Sequence, residues 1–246
     1  VGSEMCIRDS PESISPKIET VRRKSKCLHC SPCQRDADEC PSGAFEAVGR
    51  DVTLDELARE VMKDEVFFRA SGGGVTLSGG EVLMQAPFAT RFLQRLRSWG
   101  VPCAIETAGD APASRLLPLA RCCDEVLFDL KIMDARQARE VVSMNQPRVV
   151  ENLRLLVQEG IAVTPRLPLI PGYTLSKENM KQALTLLTSL GIRHLHLLPF
   201  HQYGEPKYRL LGQQWSMREV SAPSAQEVAA YRQWAESAGF EVTVGG

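Results

Sequence analysis

Apolar residues recur along this chain with two alternating periods, about 3.6 residues for helices and about 2 residues for strands. The first helical stretch begins after Thr53, which forms a capping-box signature with Glu56. Glycines that follow apolar stretches, such as Gly100 and Gly160, are typical of helix C-termini. The pattern predicts helices at 53–62, 87–99, 114–122, 149–159, 176–190 and 224–238, and strands at 75–77, 103–106, 126–129, 161–167, 194–198 and 240–244.

The predicted strands and helices alternate through most of the sequence. Such alternation predicts a parallel sheet covered by helices, in either a barrel or a doubly wound arrangement. Polar motifs follow or end five of the predicted strands, which is where α/β barrels place their active sites. These positions favour a site at the C-terminal edge of the sheet. The motifs are Ser78–Glu81, Glu106–Gly109, Asp129–Lys131, Arg166 and Leu198–His201.

Gly79, Gly80 and Glu81 combine two residues without side chains and one carboxylate. The glycines would let a ligand approach the backbone, and the carboxylate could bind an ammonium group. An ordinary strand-to-helix turn is the alternative. Asp129 and Lys131 can point the same way at a strand end, so they could bind a polar ligand or form a salt bridge at a barrel rim.

Arg166 lies in an apolar predicted strand, where a charge is costly unless it is paired. We therefore expect a ligand carboxylate or an Asp or Glu partner for its guanidinium. His201 ends the fifth motif, and residues 204–208 are predicted to form a loop suited to ligand or partner contact. His194 and His196 share a strand face and are interpreted as structural or surface residues.

Four cysteines occur in one short segment before the predicted helices. Cys27, Cys30 and Cys33 are separated by two residues each, and Cys40 is followed by Pro41. This spacing is similar to the ferredoxin pattern that holds a [4Fe–4S] cluster, whose iron prefers soft thiolate ligands. The gap of six residues before Cys40 is longer than in that pattern, and a zinc ribbon is the alternative.

The composition restricts the class of protein further. The 246 residues are 43% hydrophobic and 24% charged, with a net charge of −1, which is ordinary for a globular protein and offers no general attraction to nucleic acid or membrane. No apolar run is long enough to span a bilayer, and no signal peptide is evident. The sequence favours a reducing, cytoplasmic compartment. Outside the cluster, Cys103, Cys122 and Cys123 are interpreted as buried apolar residues, and Cys6 lies apart.

Four longer motifs occur in a fixed order through the chain. They are residues 72–81 (GGGVTLSGGE), 128–131 (FDLK), 166–172 (RLPLIPG) and 197–208 (LLPFHQYGEPKY). Together they resemble the glycyl-radical-enzyme activating enzymes of the radical SAM superfamily, and among these the pyruvate formate-lyase-activating type with a ferredoxin-like insert. The resemblance extends from about Pro11 to Gly246.

The resemblance implies an oxidoreductase with a defined reaction. A reduced [4Fe–4S] cluster would pass one electron to S-adenosylmethionine (SAM), which would split into methionine and a 5′-deoxyadenosyl radical. That radical would remove a hydrogen atom from a backbone glycine of a glycyl radical enzyme, such as a formate acetyltransferase. Flavodoxin or ferredoxin would be the electron donor. A barrel interior would shield the radical from water.

The resemblance also implies roles for the candidate site residues. Gly79, Gly80 and Glu81 would hold the methionine end of SAM. The clustered cysteines would bind an auxiliary [4Fe–4S] cluster. The remaining members of the cofactor and substrate site would be Asp129, Leu130, Lys131, Arg166 and His201, with Asp129 and Lys131 as the catalytic pair.

One motif of this family has no counterpart among the 246 residues. The family binds its SAM-cleaving cluster with a Cys-x3-Cys-x2-Cys loop, and none of the eight cysteines has that spacing. We therefore expect residues 1–10 to be non-native, residues 11–50 to form a ferredoxin-like segment, and residues 51–246 to form a partial, TIM-like barrel without its first strand. On this expectation the chain alone would not cleave SAM. The rival interpretation is a zinc-ribbon or ferredoxin-like binding or electron-transfer module on a non-radical α/β barrel.

Overall fold

The computed structural model describes residues 19–22, 28, 40–48, 50–210 and 214–245. The chain forms two compact units. The larger unit comprises the described residues of 54–201 and 221–245, and the smaller comprises those of 19–53 and 202–220. Within these described parts, none of the helices has both the length and the apolar character needed to cross a lipid bilayer.

Strands and helices alternate along the larger unit. The strands of the described residues are β1 (Glu19–Arg22), β2 (Phe45–Val48), β3 (Val75–Leu77), β4 (Cys103–Thr107), β5 (Glu125–Asp129), β6 (Val163–Leu169), β7 (His194–Pro199) and β8 (Glu241–Val244). The helices are α1 (Leu54–Val61), α2 (Glu65–Ser71), α3 (Ala86–Ser98), α4 (Ala113–Ala120), α5 (Ala135–Val142), α6 (Gln146–Gln158), α7 (Lys177–Ser189), α8 (Glu205–Leu210) and α9 (Ala225–Ser237). Short 3₁₀ turns lie at Met62–Asp64 and Val82–Gln85.

Strands β3 to β8 form one parallel sheet in which each strand pairs with the next strand along the chain. A doubly wound sheet reverses its strand order at one point, and no reversal occurs between β3 and β8. The sequential order is that of a barrel series. The predicted α/β class and partial barrel are therefore confirmed. In the smaller unit, β1 and β2 pair with each other in antiparallel fashion.

The helix-facing side of the sheet forms an apolar core. Ile105, Val126 and Leu195 lie on three different strands and have no exposed surface. Helix α3 contributes Phe92 and Leu93, which are also fully buried. Complete burial of side chains of this size stabilises the fold by about 1.5–3 kcal/mol each relative to leaving them exposed.

The opposite face of the sheet carries polar residues in register. Asp129 of β5 aligns with Arg166 of β6. Arg166 in turn aligns with His196 of β7, which aligns with Thr243 of β8. Because side chains at aligned positions point to the same face, these residues form one row across the sheet. The register thus brings polar groups from distant parts of the sequence together.

The larger unit confirms every helix and strand predicted from the sequence, with ends within about three residues. The loop predicted at 204–208 is wrong, because Glu205–Leu210 is helical. Pro206 lies in the first turn of that helix, where its missing N–H breaks no hydrogen bond. The apolar pattern does not reveal α2 and α5 because they bury so little: α2 has no buried residue, and α5 buries Ala138 alone.

Candidate cofactor and substrate site

Arg166 joins two carboxylates on the polar face of the sheet. Its Nε donates to Asp129 Oδ1 at 2.8 Å, and its Nη1 donates to Glu106 Oε1 at 2.8 Å. Arg166 is only 8% exposed, so both charge-assisted hydrogen bonds form in a largely desolvated setting. The prediction that Arg166 needs an acidic partner is confirmed. Its partners come from the two strands that precede β6 in the sheet.

Burial and charge act in opposite directions on these groups. Burial alone would lower the pKa of Arg166, but the hydrogen bonds and charges of Glu106 and Asp129 raise it above its ordinary value. Burial raises the pKa of Asp129, although the Arg166 charge opposes this rise, and the nearby carboxylates Glu106 and Glu81 add to it. Arg166 therefore stays charged, whereas Asp129 is shifted toward its protonated form.

Lys131 is a second buried cation, two residues after the end of β5. It is 8% exposed, and burial together with the charge of Arg166 lowers its pKa from the ordinary value of 10.5 to about 8. Asn179 Nδ2 donates to the Lys131 carbonyl at 3.0 Å, and Leu130 N–H donates to the Arg166 carbonyl at 2.9 Å. The backbone after β5 is therefore held in place on both sides of the lysine.

Three protein donors hold the carboxylate of Glu81. Thr107 Oγ1 donates to Oε1 at 2.7 Å, Ala108 N–H donates to Oε2 at 3.0 Å, and Leu83 N–H donates to Oε1 at 3.1 Å. Glu81 therefore connects the turn after β3 to the loop after β4. Each carboxylate oxygen has two lone pairs, so Oε2 keeps acceptor capacity for a ligand ammonium.

The two glycines before Glu81 give access to the backbone. Gly79 has a φ of 127°, a conformation that residues with a Cβ rarely adopt. Gly79 and Gly80 are both exposed. Among the described residues, none apart from the chain neighbours places an atom within 4 Å of the position that a Cβ would take at either glycine. Open space therefore lies beside this turn.

The histidines differ in their surroundings. His201 follows β7 and is exposed at the C-terminal edge of the sheet. His194 Nε2 lies 3.0 Å from the Val163 carbonyl, which agrees with the structural interpretation of this residue. His196 Nδ1 is buried and has no hydrogen-bond partner among the residues that the structure describes.

Cys40 is the member of the cysteine quartet that the structure describes. Its Sγ accepts a hydrogen bond from Ala44 N–H at 3.3 Å and lies 3.5 Å from Ser42 Oγ. Within the described ranges, no three His, Cys, Asp or Glu side chains come together in a way that could hold a metal ion. The iron–sulfur interpretation stays a prediction. The other predicted ligands, Cys27, Cys30 and Cys33, lie outside the described residues.

The described cysteines of the larger unit lie in its apolar core or pack against it. Cys103 and Cys122 are buried and Cys123 is half-buried, and each thiol donates to a backbone carbonyl at 3.3–3.4 Å. Burial raises the pKa of Cys103 to about 11 and that of Cys123 to about 12. Since the thiolate is the nucleophile and the metal ligand, these residues act as apolar core residues, as expected from the sequence.

Sequence reasoning did not identify several residues that organise the site. Glu106 and Thr107 lie within a motif that the sequence revealed, but their partners depend on the register of the sheet. Asn152 and Asn179 are helical residues with no motif around them. The structure shows that each donates hydrogen bonds to the carbonyls of a loop at the site.

Comparison with known proteins identifies the family to which this site belongs. The family model of the Radical SAM superfamily matches residues 26–197, well over half of the chain. The chain therefore belongs to the Radical SAM superfamily, whose members use SAM and a [4Fe–4S] cluster. The open turn at Gly79 and Gly80 and the carboxylate of Glu81 fit the charged methionine end of SAM.

Within the superfamily, the chain is similar to several activating enzymes. The chain is 76% identical over 237 residues to the pyruvate formate-lyase 2-activating enzyme of Escherichia coli strain K12, which covers 96% of this chain and 81% of that protein. It is 32% identical over 208 residues to the trans-4-hydroxy-L-proline dehydratase activating enzyme of Clostridioides difficile, covering 83% and 69% respectively. The fold is also similar to the crystal structure of a domain of pyruvate-formate lyase-activating enzyme from Bacteroides vulgatus ATCC 8482, with a TM-score of 0.59 and 26% sequence identity. The match covers 71% of this chain and 99% of that one.

Proposed function

We propose that this protein activates a glycyl radical enzyme of the pyruvate formate-lyase type. The 76% identity to the E. coli activating enzyme over 96% of this chain is the observation that carries this proposal. SAM and the reduced [4Fe–4S] cluster of the superfamily would supply the chemistry that removes a hydrogen atom from a backbone glycine of the partner. The residues of this chain bind, orient and shield the reactants.

The turn at Gly79 and Gly80 holds the methionine end of SAM in this proposal. Its backbone groups are accessible, because both glycines are exposed and, among the described residues beyond the chain neighbours, no atom lies within 4 Å of either Cβ position. Glu81 offers a carboxylate to the ammonium group, and Thr107 and Ala108 already fix that carboxylate through hydrogen bonds. A carboxylate that is ordered before the ligand arrives loses less conformational entropy on binding.

Asp129 and Lys131 form the proposed catalytic pair at the end of β5. Arg166 holds the carboxylate of Asp129 from the next strand, so this group keeps its position when substrate enters. Lys131, with a pKa of about 8, holds or releases a proton close to neutral pH. Leu130 and His201 border the same site.

We further assign an electron-transfer role to residues 11–50, which we propose as a ferredoxin-like segment. Cys27, Cys30, Cys33 and Cys40 would ligate an auxiliary [4Fe–4S] cluster there. The hydrogen bond from the Ala44 amide to Cys40 Sγ supports this, because such bonds to ligating sulfur tune iron–sulfur clusters. A cytoplasmic flavodoxin or ferredoxin would supply the electron.

The proposed function can be tested with two forms of the protein. One is the 246-residue chain, and the other is a chimera in which residues 1–10 are replaced by the segment that precedes the matching region in the E. coli relative. Both are reconstituted anaerobically with iron and sulfide, reduced, and mixed with SAM and E. coli pyruvate formate-lyase 2. We expect the chimera to produce 5′-deoxyadenosine and a glycyl radical signal in electron paramagnetic resonance, and the 246-residue chain to produce neither.

Two variants of the chimera extend this experiment, one in the proposed catalytic pair and one at an exposed position that serves as the control. Lys131→Met in the chimera should reduce glycyl radical formation by at least about tenfold, since it removes a buried cation of the proposed catalytic pair that would position the reactants. Arg136→Gln should leave the rate unchanged, because the Arg136 side chain is 86% exposed on α5. A chimera that binds SAM and carries its clusters but forms no glycyl radical on the partner would contradict the proposed function.

A further inference from the structure

We propose that Asn152 is a positioning residue for the cofactor site, because its carboxamide fixes the loop that holds Glu81. Asn152 lies on α6 and is 2% exposed. Its Nδ2 group donates to the Gly109 carbonyl at 2.6 Å and to the Ala111 carbonyl at 2.8 Å. Both hydrogens of one amide group are therefore used on one short loop after β4. That this loop serves a SAM site rests on the proposed function.

The last residue of β4 and the first residue of the same loop supply two of the donors to Glu81. Gly109 N–H donates to Thr107 Oγ1 at 2.9 Å, and the Thr107 hydroxyl donates in turn to Glu81 Oε1 at 2.7 Å. Ala108 N–H donates to Glu81 Oε2 at 3.0 Å. A shift of the backbone at Gly109 would therefore disturb both hydrogen bonds to Glu81 at once. Asn152 acts on Glu81 through this chain of contacts.

We call the two hydrogen bonds from Asn152 to the loop the Asn152 clamp. The loop depends on this clamp because Gly109 has no side chain that could anchor it. Gly109 has a φ of 68°, and a Cβ at this position would lie 2.3 Å from the Phe128 ring, so no side chain of its own can anchor the loop. On the outer side, Arg148 pairs with Asp110 at 2.7 Å, but the Arg148 side chain is 40% exposed. Exposed pairs of this kind contribute little to stability. The buried hydrogen bonds of Asn152 are therefore the stronger restraint.

The polarity of Asn152 argues against a role in packing alone. Its helix neighbours Val149, Leu153 and Leu156 are apolar and at most 2% exposed. A buried amide is costly unless it is hydrogen-bonded, and a leucine would fill a similar volume without that cost. The hydrogen bonds that Asn152 Nδ2 makes within the described residues go to the two loop carbonyls. The carboxamide is thus suited to hold a loop rather than to fill the core.

Asn179 provides a matched comparison on the other side of the site. Its Nδ2 donates to the Lys131 carbonyl at 3.0 Å, and its Oδ1 accepts from Met133 N–H at 2.8 Å. These bonds fix the loop after β5 rather than the loop after β4. Substitution of each asparagine should therefore loosen a different loop.

Hydrogen exchange on the complete 246-residue chain tests the clamp without any cofactor. In Asn152→Leu, exchange of the Ala108 and Gly109 amides should accelerate by at least about tenfold, as expected when two ordinary hydrogen bonds are lost, while the Met133 amide keeps its rate. Asn179→Leu should give the reverse pattern. Asn152→Asp keeps the shape of the side chain but cannot donate when ionised, so it decides the question if the leucine variant does not fold.

SAM binding then links the clamp to the site. In the chimera described above, both Asn152 variants should raise the equilibrium dissociation constant for SAM by about tenfold. Unchanged Ala108 exchange would overturn the proposal, and so would equal acceleration at the core amide of Val126, which indicates general destabilisation. If the unsubstituted chimera binds no SAM, the proposed function is wrong, whereas the local exchange pattern still decides whether Asn152 holds the loop.

Discussion

At the scale of single residues, the site concentrates charges that are costly to bury. Lys131 and Arg166 are both 8% exposed and lie close enough for the charge of Arg166 to lower the pKa of Lys131. Arg166 is compensated by Glu106 and Asp129. Such groups reduce the stability of the fold in exchange for a defined arrangement of charge, as is common at functional sites.

The first prediction concerns the pH dependence of stability from Lys131. Its pKa is about 8 in the folded protein and about 10.5 when unfolded, so the unfolded state binds more protons between these values. Stability from this group therefore rises as the pH increases from 8 to 10.5. Relative to Lys131→Met, the free energy of unfolding should increase by roughly 2–3 kcal/mol between about pH 7 and pH 10.

Urea unfolding of the two proteins at several pH values measures this difference. The raised thiol pKa values of Cys103 and Cys123 lower the stability of both proteins above about pH 9, and the comparison cancels that effect. A constant difference across the pH range would show that Lys131 keeps its ordinary pKa in the folded state.

The second prediction concerns the pairing of Arg166. Arg166→Leu leaves the carboxylates of Glu106 and Asp129 without their cation, and breaking a buried pair in this way costs about 3–5 kcal/mol. The deficit should shrink as the pH falls from about 7 to 4, because burial raises the pKa of Asp129 and the variant lacks the cation that opposes this rise, so the folded variant takes up a proton there more readily than the unfolded chain does. Unfolding free energies over this range provide the measurement.

A variant that removes all three charges separates repulsion from lost packing. Combining Arg166→Leu with Glu106→Gln and Asp129→Asn should recover part of the lost stability and abolish its pH dependence. If the triple variant is no more stable than Arg166→Leu at neutral pH, then the two carboxylates do not repel each other in the folded protein, and the electrostatic explanation is wrong.

At the scale of elements, the loop after β4 depends on a glycine that packs directly against the next strand. Gly109 has a φ of 68°, and Gly160 at the end of α6 has a φ of 69°. A Cβ at Gly109 would meet the Phe128 ring at 2.3 Å, whereas no described residue beyond the chain neighbours lies within 4 Å of a Cβ at Gly160. A Cβ would therefore meet the same backbone strain at both positions, but it would meet a steric clash at Gly109 alone of the two.

This pair gives the third prediction. Gly160→Ala should cost about 1–2 kcal/mol, the strain of a left-handed conformation in a residue with a Cβ. Gly109→Ala should cost at least about 3 kcal/mol, because overpacking adds to the same strain. Phe128→Leu in the Gly109→Ala background should reduce the additional loss. Thermal and urea unfolding measure these differences, and equal losses for the two alanine variants would exclude the contact with Phe128.

The elements also show how far the sequence could predict this protein. Strands and helices with a buried stripe were predictable, because burial imposes a period on the sequence. The need of Arg166 for an acidic partner was equally predictable from the cost of an unpaired charge. Its particular pairing with Glu106 was not, since it depends on how β4, β5 and β6 align. The role of Asn152 likewise depends on where α6 lies against the loop after β4.

At the scale of the whole molecule, the larger unit separates stability from chemistry across one sheet. The face that carries Ile105 and Val126 packs against the apolar core, and the opposite face carries Arg166 and its carboxylates. Substitutions on the first face should therefore act on folding, whereas those on the second should act on ligand binding as well as on stability. This division is typical of parallel α/β folds, whose sites lie at the C-terminal edge of the sheet.

The last prediction concerns the metal that the cysteine quartet binds. Cys40 Sγ already accepts a backbone hydrogen bond from Ala44, which suits a thiolate ligand of either iron or zinc. The spacing of the quartet and the residue Pro41 favour a [4Fe–4S] cluster. The 246-residue chain, reconstituted anaerobically, should therefore contain about four iron atoms and four sulfides per chain and absorb broadly near 400 nm.

Matched cysteine variants distinguish this cluster from adventitious iron. Cys30→Ala and Cys33→Ala should each lose most of the iron and sulfide, because each removes one of the four proposed thiolate ligands. Cys122→Ala should keep the full content, since Cys122 is buried and its thiol donates to the Pro118 carbonyl. About one zinc per chain without sulfide would instead identify a zinc ribbon, and the proposed electron-transfer role of this segment would then be wrong.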